Sequence, residues 1–422
     1  MFKTLQAAQQ WIESVEKFSD KYDLSRMQNA CAMLGHPENE FKSIHIGGTN
    51  GKGSTLQMLN QVLLESGYKT GTFTSPYIVH FNERITLNGT MISDADMLHY
   101  INEIYTVQKD YYEKYHDQIT FFEMLTLISF LYFKNADVDV VLYEVGLGGT
   151  LDATNVITPL ISIITSIGYD HMGVLGNSLS SIADNKLGIV KADVPLITGI
   201  TQKSLYQQFN LRTNETGSKL YLVNEFPLTN KASVPYVTFI YNNETYTLGM
   251  QGEHQINNAL TVIQAAHILN VQQGFTIDDN AVKRGLRNAR MPGRFEHVKP
   301  GLIMDGAHNV LGMEASLKTL KNLYPDQRCR IVFAVMEDKD YKAMLSQIEA
   351  IADEVILSEI PYGRSAKVET LSDYVSYTNK KLMPDLETLE NHLLYVPYEG
   401  ITLVTGSFYF ISMIRSKFSP SN

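Results

Sequence analysis

The chain has 422 residues, a formal net charge of −10, an apolar fraction of 44% and a charged fraction of 19%. This length points to two or three domains, with cores large enough to need no disulfide staples. The acidic excess argues against nucleic acid or an anionic membrane as a general partner, but not against an anionic substrate held by local basic groups. The only cysteines, Cys31 and Cys329, lie far apart in sequence and fit a reduced, cytoplasmic protein. The N-terminal segment carries Leu5, Ala8, Ile12 and Val15 on one helical face, which is an amphipathic helix and not a signal peptide. The most apolar stretch, 124–133, is too short to span a bilayer.

In chain order, residues 1–40 read as two helices ending at Gly35-His36-Pro37. A strand follows over 41–46, then a glycine-rich turn, then a helix over 55–65 with Leu56, Leu59 and Leu63 on one face. Further strands are predicted over 69–74, 138–145, 160–166 and 194–199, several of them continuous apolar runs like those of buried parallel strands. Asn88-Gly89 marks a hairpin between 84–87 and 90–92. The segment 121–134 is apolar almost all round and reads as a buried helix. Residues 201–253 are less regular, with a second hairpin about Asn242-Asn243, and helices follow over 255–270 and 277–289. Met291-Pro292-Gly293-Arg294 breaks the pattern and places a domain boundary, giving parts 1–293 and 294–422. The second part alternates again: strands at 301–304, 329–335, 354–358 and 401–404, and helices at 310–323, 340–351, 370–378 and 408–417. The expected fold is α/β, with an N-terminal P-loop-type, mostly parallel sheet with flanking helices and a smaller C-terminal Rossmann-like α/β domain. Ligands in such sheets bind beyond the carboxyl ends of the strands, so the active site is expected in the cleft between the two domains.

The strongest local signal is Gly47-Gly48-Thr49-Asn50-Gly51-Lys52-Gly53-Ser54, between a strand and a helix. Backbone N–H groups at a helix start, aided by the helix dipole, cradle phosphate. Lys52 would reach the β- and γ-phosphates, and the Ser54 hydroxyl would sit on Mg²⁺. Thr49, Asn50, Gly51 and Gly53 complete the cradle. The spacing departs from the common G-x-x-x-x-G-K-[ST] form, which would put Gly at Ile46 and Ser or Thr at Gly53. Glu144 ends a buried strand, a costly place for a carboxylate without a partner, and is a candidate Mg²⁺ ligand or water-holding base. The bland alternative is a solvated acid at a strand end. Asp170-His171 follows another strand; a structural histidine and a metal or water contact both fit, although Mg²⁺ prefers oxygen. Lys186 on a helix is either a solvated lysine or a charge, plain or carboxylated, near the metal. Amides over 251–259, Asn257 among them, open a helix and could read adenine or ribose, or simply cap it. Arg294 at the boundary, with Asp305 and His308 after a strand, would complete a nucleotide site on closure.

These segments resemble the folylpolyglutamate synthase/dihydrofolate synthase family of the Mur ligase superfamily, over nearly the whole chain. The matching stretches are Gly48–Ser54, Thr74-Ser75-Pro76, Glu83-Arg84-Ile85, Phe121-Phe122-Glu123, Glu144–Gly149, Leu151–Asn155, Asp170-His171, Leu175-Gly176, Pro292-Gly293-Arg294 and Asp305–Asn309. Asp338-Lys339-Asp340 and Gly406-Ser407-Phe408 fit as well. The resemblance implies that Lys52 is the phosphate lysine and that Ser54, Glu144 and His171 form the metal set. It implies that Lys186 is a carbamylated lysine ligating a second Mg²⁺, and that Arg294, Asp305, His308 and Asn257 touch ATP. Three positions depart from the family pattern. Tyr77 stands where His is frequent, Thr150 where Arg is usual and Asn185 where Glu is frequent.

The implied reaction is ATP-driven amide formation. Phosphoryl transfer to the γ-carboxylate of tetrahydrofolate makes an acyl phosphate, which the amine of L-glutamate attacks, with Lys52, Glu144, His171 and Lys186 as the catalytic set. An alternative joins glutamate to dihydropteroate, and both activities can share one chain. A muramyl ligase would normally need a further N-terminal domain. A non-catalytic nucleotide-binding regulator is disfavoured by the joint presence of Glu144, His171, Lys186, Arg294 and Asp305. A cytoplasmic monomer, without nucleic-acid or membrane partners, is the expected state.

Overall fold

The structure is a computed structural model and describes residues 1–16, 23–376 and 379–418. It divides into two compact units. The first comprises Met1–Ile167, Ser178–Glu225 and Leu260–Gly285, and the second comprises Gly168–Asn177, Phe226–Ala259 and Leu286–Asn422.

The chain opens with α1 (Leu5–Ser14) and α2 (Ser25–Met33), then runs through β1 (Ser43–Gly47), α3 (Lys52–Glu65), β2 (Thr70–Phe73), β3 (Ile85–Leu87) and β4 (Thr90–Met91). Asn88 and Gly89 both take positive φ, 50° and 76°, as a two-residue hairpin turn requires. Next come α4 (Asp94–Tyr115), α5 (Phe121–Asn135), β5 (Val140–Glu144), β6 (Ile161–Ile164), α6 (Met172–Leu175), α7 (Leu179–Leu187), β7 (Leu196–Thr198), α8 (Tyr206–Thr216) and β8 (Leu220–Leu222). The second hairpin forms where Asn242-Asn243 predicts it, within β9 (Thr229–Ala232), β10 (Thr238–Tyr241) and β11 (Glu244–Thr247). Then follow α9 (Gln255–Gln272), α10 (Asp279–Asn288), β12 (Glu296–Lys299), β13 (Leu302–Met304), α11 (Val310–Leu323), β14 (Cys329–Phe333), α12 (Tyr341–Glu349) and β15 (Glu354–Leu357). The chain closes with α13 (Val368–Ser372), β16 (Lys380–Leu382), α14 (Leu386–Tyr395), β17 (Ile401–Thr405) and α15 (Phe408–Ser416).

The first unit is built on an eight-stranded sheet of order β4-β3-β2-β5-β1-β6-β7-β8. Only the β3–β4 hairpin edge is antiparallel. β1 lies between β5 and β6, and all three strands are buried throughout. Parallel strands covered on both faces need no polar alternation, which is why these runs are continuously apolar. Helix α5 packs on β2 and α4, and its Phe130 and Phe133 meet Tyr143 of β5 and Phe73 of β2 in one aromatic core. The second unit holds a six-stranded sheet of order β12-β13-β17-β14-β15-β16, parallel except for β12, and the separate three-stranded sheet β11-β10-β9.

The α/β class and the two sheets match the sequence expectation. Helix α3 begins at Lys52 and not at Thr55, because Gly51 adopts a left-handed conformation (φ 89°) and turns the chain directly into the helix. The expected helix over 370–378 is α13, shorter and shifted toward the N-terminus, and residues 377–378 lie outside the described residues. The stretch 201–253 carries α8, β8 and β9 in addition to the hairpin.

Candidate active site

The loop between β1 and α3 is fixed from outside. Thr49 N–H donates to the Ser166 carbonyl at 2.8 Å and Asn50 N–H to the Ser166 hydroxyl at 2.9 Å. The Thr165 hydroxyl donates to the Asn50 carbonyl at 2.7 Å and to that of Gly47 at 3.2 Å. Thr165 and Ser166 follow β6, the neighbour of β1, so the sheet order brings them to the loop. Their signal in the sequence is a polar pair directly after the apolar run 161–164. Gly48 (φ 141°) passes so close to this clamp that a Cβ there would lie 2.0 Å from the Thr165 hydroxyl. The loop is therefore held open as bare backbone. No side chain caps the N-terminus of α3, whose amides are the kind of donors that bind anions.

Two lysines converge on one carbonyl of this loop. Lys52 Nζ donates to Gly48 O at 3.1 Å and to Thr49 O at 3.3 Å. Lys186, buried in the last turn of α7, donates to the same Gly48 O at 3.1 Å. Two ammonium groups sharing one acceptor beside a helix N-terminus make a strongly electropositive spot suited to a polyanion. Glu144, 6% exposed, ends β5 in register with Ile46 of β1, just before the loop. Its Oε2 accepts the Ser75 N–H at 3.3 Å. Ser54 is buried in the first turn of α3. The first unit thus gathers Lys52, Lys186 and Glu144 with the loop Thr49–Ser54.

A buried polar chain supports this end of the sheet. The Asp152 carboxylate accepts the Leu147 N–H at 2.8 Å and the Thr154 N–H at 3.0 Å. The Thr154 hydroxyl also bonds Asp152 and lies 2.8 Å from Nε2 of His45 in β1. Burial raises the Asp152 carboxyl, against the pull of those hydrogen bonds, and lowers His45 to about 3, with the Lys191 charge adding to the effect.

His171 belongs to the second unit, as do Asn257, Arg294, Asp305 and His308. Asp305 follows β13; its Oδ1 accepts the Ala307 N–H at 2.9 Å and its Oδ2 the Phe295 N–H at 2.8 Å, which fixes the backbone next to Arg294. Burial raises the Asp305 carboxyl while Arg294 opposes that shift. The Arg294 guanidinium lies over the Phe408 ring, 4.2 Å from its centroid, and the His308 ring is 5.9 Å from that same ring. Arg294, Asp305 and His308 are therefore neighbours. Asn257 stands in the first turn of α9. His171 has φ 49° and caps the short helix α6, and Asp170 beside it meets His308, Asn309 and Lys339. Among the described residues no group of three or more His, Cys, Asp or Glu side chains is arranged to hold a metal ion by itself.

Comparison with known proteins places this geometry. Residues 46–266 match the Mur ligase middle domain, and residues 293–408 match the Mur ligase, glutamate ligase domain. The chain is 37% identical over 428 residues to the dihydrofolate synthase/folylpolyglutamate synthase of Bacillus subtilis, covering 99% of this chain and 100% of that one. The chain belongs to the folylpolyglutamate synthase/dihydrofolate synthase family of Mur ligases. As a member of that family it is an ATP-dependent ligase. Its fold is that of folylpolyglutamate synthase from Thermotoga maritima, with a TM-score of 0.84 at 30% identity over 99% of this chain and 97% of that one. The Escherichia coli FolC in complex with DHPP and ADP is also similar, with a TM-score of 0.86 at 27% identity over 98% of this chain and 97% of that one.

Within this synthase family, the three departing positions are filled in structural ways. The Tyr77 ring lies 5.0 Å from the guanidinium of the buried Arg84, which Phe81 and Phe121 also face. Thr150 donates through both its N–H and its hydroxyl to the Asn185 carbonyl, at 2.9 Å and 2.8 Å, and so ties the loop after β5 to the helix of Lys186. At Asn185 the backbone carbonyl makes this bond, which any residue there could supply.

Proposed function

We propose that this ligase adds L-glutamate to the γ-carboxylate of tetrahydrofolate through an acyl phosphate, with addition of glutamate to dihydropteroate as a second activity of the same site. The second activity is favoured by the similarity to the E. coli FolC that binds DHPP and ADP. The observation that supports the reading best is the Lys52 ammonium at Gly48 O, beside a helix N-terminus with no side-chain cap; Lys186 reaches the same carbonyl, where its carbamylation would turn an ammonium into a carboxylate for a metal ion. The triphosphate of ATP would lie there, with Thr49, Asn50, Gly51, Gly53 and Ser54 around it. A carboxylate is a poor electrophile, and phosphorylation gives it a leaving group. The chain's part is then to position the reactants and neutralise charge.

The donors suit Mg²⁺. Glu144 supplies a hard carboxylate and Ser54 a hydroxyl, and an ion that relies on one or two carboxylates plus substrate phosphates needs no dense acidic cluster. His171 and a carbamylated Lys186 belong to the same proposal, with a second Mg²⁺ near Lys186. The bound ions would offset the charge on the transferring phosphoryl group. Arg294, Asp305, His308 and Asn257 would be the nucleotide contacts of the other unit. The functional division at 293/294, into an ATP-binding part and a C-terminal ligase part, is proposed with them, as is a cytoplasmic monomer.

The test is turnover with ATP, Mg²⁺ and labelled L-glutamate, in parallel with tetrahydrofolate and with dihydropteroate. Incorporation with both acceptors is expected, and Lys52→Ala should abolish it with an unchanged circular dichroism spectrum. No incorporation with either acceptor, or full activity in Lys52→Ala, would overturn the reading. Carbamylation is checked by intact mass under CO₂, where a fully unmodified Lys186 in active enzyme would refute it.

A further inference from the structure

Asp170 has no role in the reading above, yet its carboxylate is bonded on both oxygens. Its side chain is only 7% exposed. Oδ1 accepts the Lys339 ammonium at 2.6 Å and the His171 backbone N–H at 2.9 Å. Oδ2 accepts Nδ2 of Asn309 at 3.0 Å and lies 3.3 Å from Nε2 of His308. A carboxylate offers about four acceptor sites, so its capacity is filled. Burial alone would raise this carboxyl, but His308, Lys339 and His171 hold it well below the usual carboxylate range.

The four donors come from three chain segments: Asp170's own, the loop after β13 and the loop after β14. Two of the partners are also fixed on their far side. Asn309 Oδ1 caps α11 by accepting the Gly312 N–H at 2.8 Å, which leaves its amide nitrogen facing Asp170. Nδ1 of His308 lies 3.0 Å from the Gly306 carbonyl. The Lys339 side chain is 10% exposed, and its ammonium is compensated by Asp170 at 2.6 Å and, more distantly, by the exposed Asp338 at 3.6 Å.

We propose that Asp170 is a positioning residue of the ligase: held in place by Lys339 and Asn309, its carboxylate sets the place of the His308 ring, and so presents His308 preformed to the nucleotide. This rests on reading His308 as a nucleotide contact. Asp170 acts through its partners and touches no reacting atom. Preorganisation of this kind works by tenths of an ångström, and an isosteric amide cannot reproduce it, because an NH₂ group would face donors.

The test is a double-mutant cycle on the full chain, with MgADP affinity measured by calorimetry and kcat and KM measured for ATP and L-glutamate. Asp170→Asn should weaken MgADP binding at least tenfold and leave the KM for L-glutamate within twofold. In a His308→Ala background the same substitution should cost less than threefold, because its effect runs through His308. Equal losses in both backgrounds, or a loss below twofold in the wild-type background, would overturn the proposal. If His308→Ala alone leaves MgADP affinity unchanged, the reading of His308 as a nucleotide contact fails and the proposal falls with it. Circular dichroism and thermal melting check each variant's folding. Should Asp170→Asn not fold, Lys339→Met serves in its place, with the same non-additivity expected and strict additivity overturning the proposal.

Discussion

A single histidine in the middle of the first sheet ties the fold to pH. His45 is fully buried, bonds only the Thr154 hydroxyl through Nε2, and its Nδ1 has no hydrogen-bond partner. In an unfolded chain an imidazole titrates near 6.5. In the fold, burial, with Lys191 adding, lowers it to about 3. Below about pH 6.5 the unfolded chain therefore takes up a proton that the folded chain refuses. Stability from this residue is complete above that pH and is lost as pH falls toward about 3, by up to about 1.4 kcal/mol per pH unit. His45→Gln keeps a donor toward Thr154 and does not titrate. Urea unfolding at about pH 7 and about pH 4.5 should show a shallower acid loss in His45→Gln than in the wild type; equal losses would rule out this role. At this scale the sequence singles out residues by their own chemistry, such as Lys52 in a glycine-rich turn and Glu144 at the end of an apolar strand, and the structure places both by the β1–α3 loop. The sequence is mute for residues that matter through a neighbour in space. Thr165 and Ser166 clamp the β1–α3 loop from more than a hundred positions away, and only the order β5-β1-β6 makes them neighbours.

At the scale of elements, legibility followed the cleanness of the pattern. The buried strands and the all-apolar helix α5 were plain, because nothing polar interrupts them. Helix α4 shows no clean pattern although Met97, Tyr100, Ile101 and Ile104 have helical spacing and are buried, because tyrosines serve as core residues among charged ones. The edge strands β8, β12 and β16 are too short for a period to show. Helix α5 also depends on an ion pair that no periodicity reveals. Glu123 closes a capping box with Thr120, accepting its N–H and hydroxyl at 2.8 Å each, and accepts Nε of Arg26 in α2 at 3.0 Å. The Arg26 side chain is 5% exposed, with Asp117 at 3.7 Å as its other anionic neighbour. Glu123→Gln would leave a buried guanidinium undercompensated, and a loss of about 3 kcal/mol is expected. A urea midpoint unchanged at constant m would contradict it.

At the scale of the whole molecule, each unit has a core of its own. One is centred on Phe73, Phe130, Phe133 and Tyr143; others surround Phe333 and Leu403, and Val332 and Phe410. The sole tryptophan, Trp11, belongs to the first unit and packs edge-on against Tyr105 at 5.0 Å. Its fluorescence reports that unit, whereas far-ultraviolet circular dichroism reports both. Separate cores predict that the two probes give non-coincident urea transitions, and coincidence would mean one cooperative unit. The order of the sheets carries a last consequence. An open sheet can be lengthened by any chain able to hydrogen-bond to its outermost strand. Here β4 has two residues and β8 three, β16 is Lys380-Lys381-Leu382, and β12 carries charges at both ends in Glu296 and Lys299. Neither large sheet offers a long, uncharged border on which a second copy could seat itself, so protection against strand-by-strand polymerisation is built into the lengths of the outermost strands.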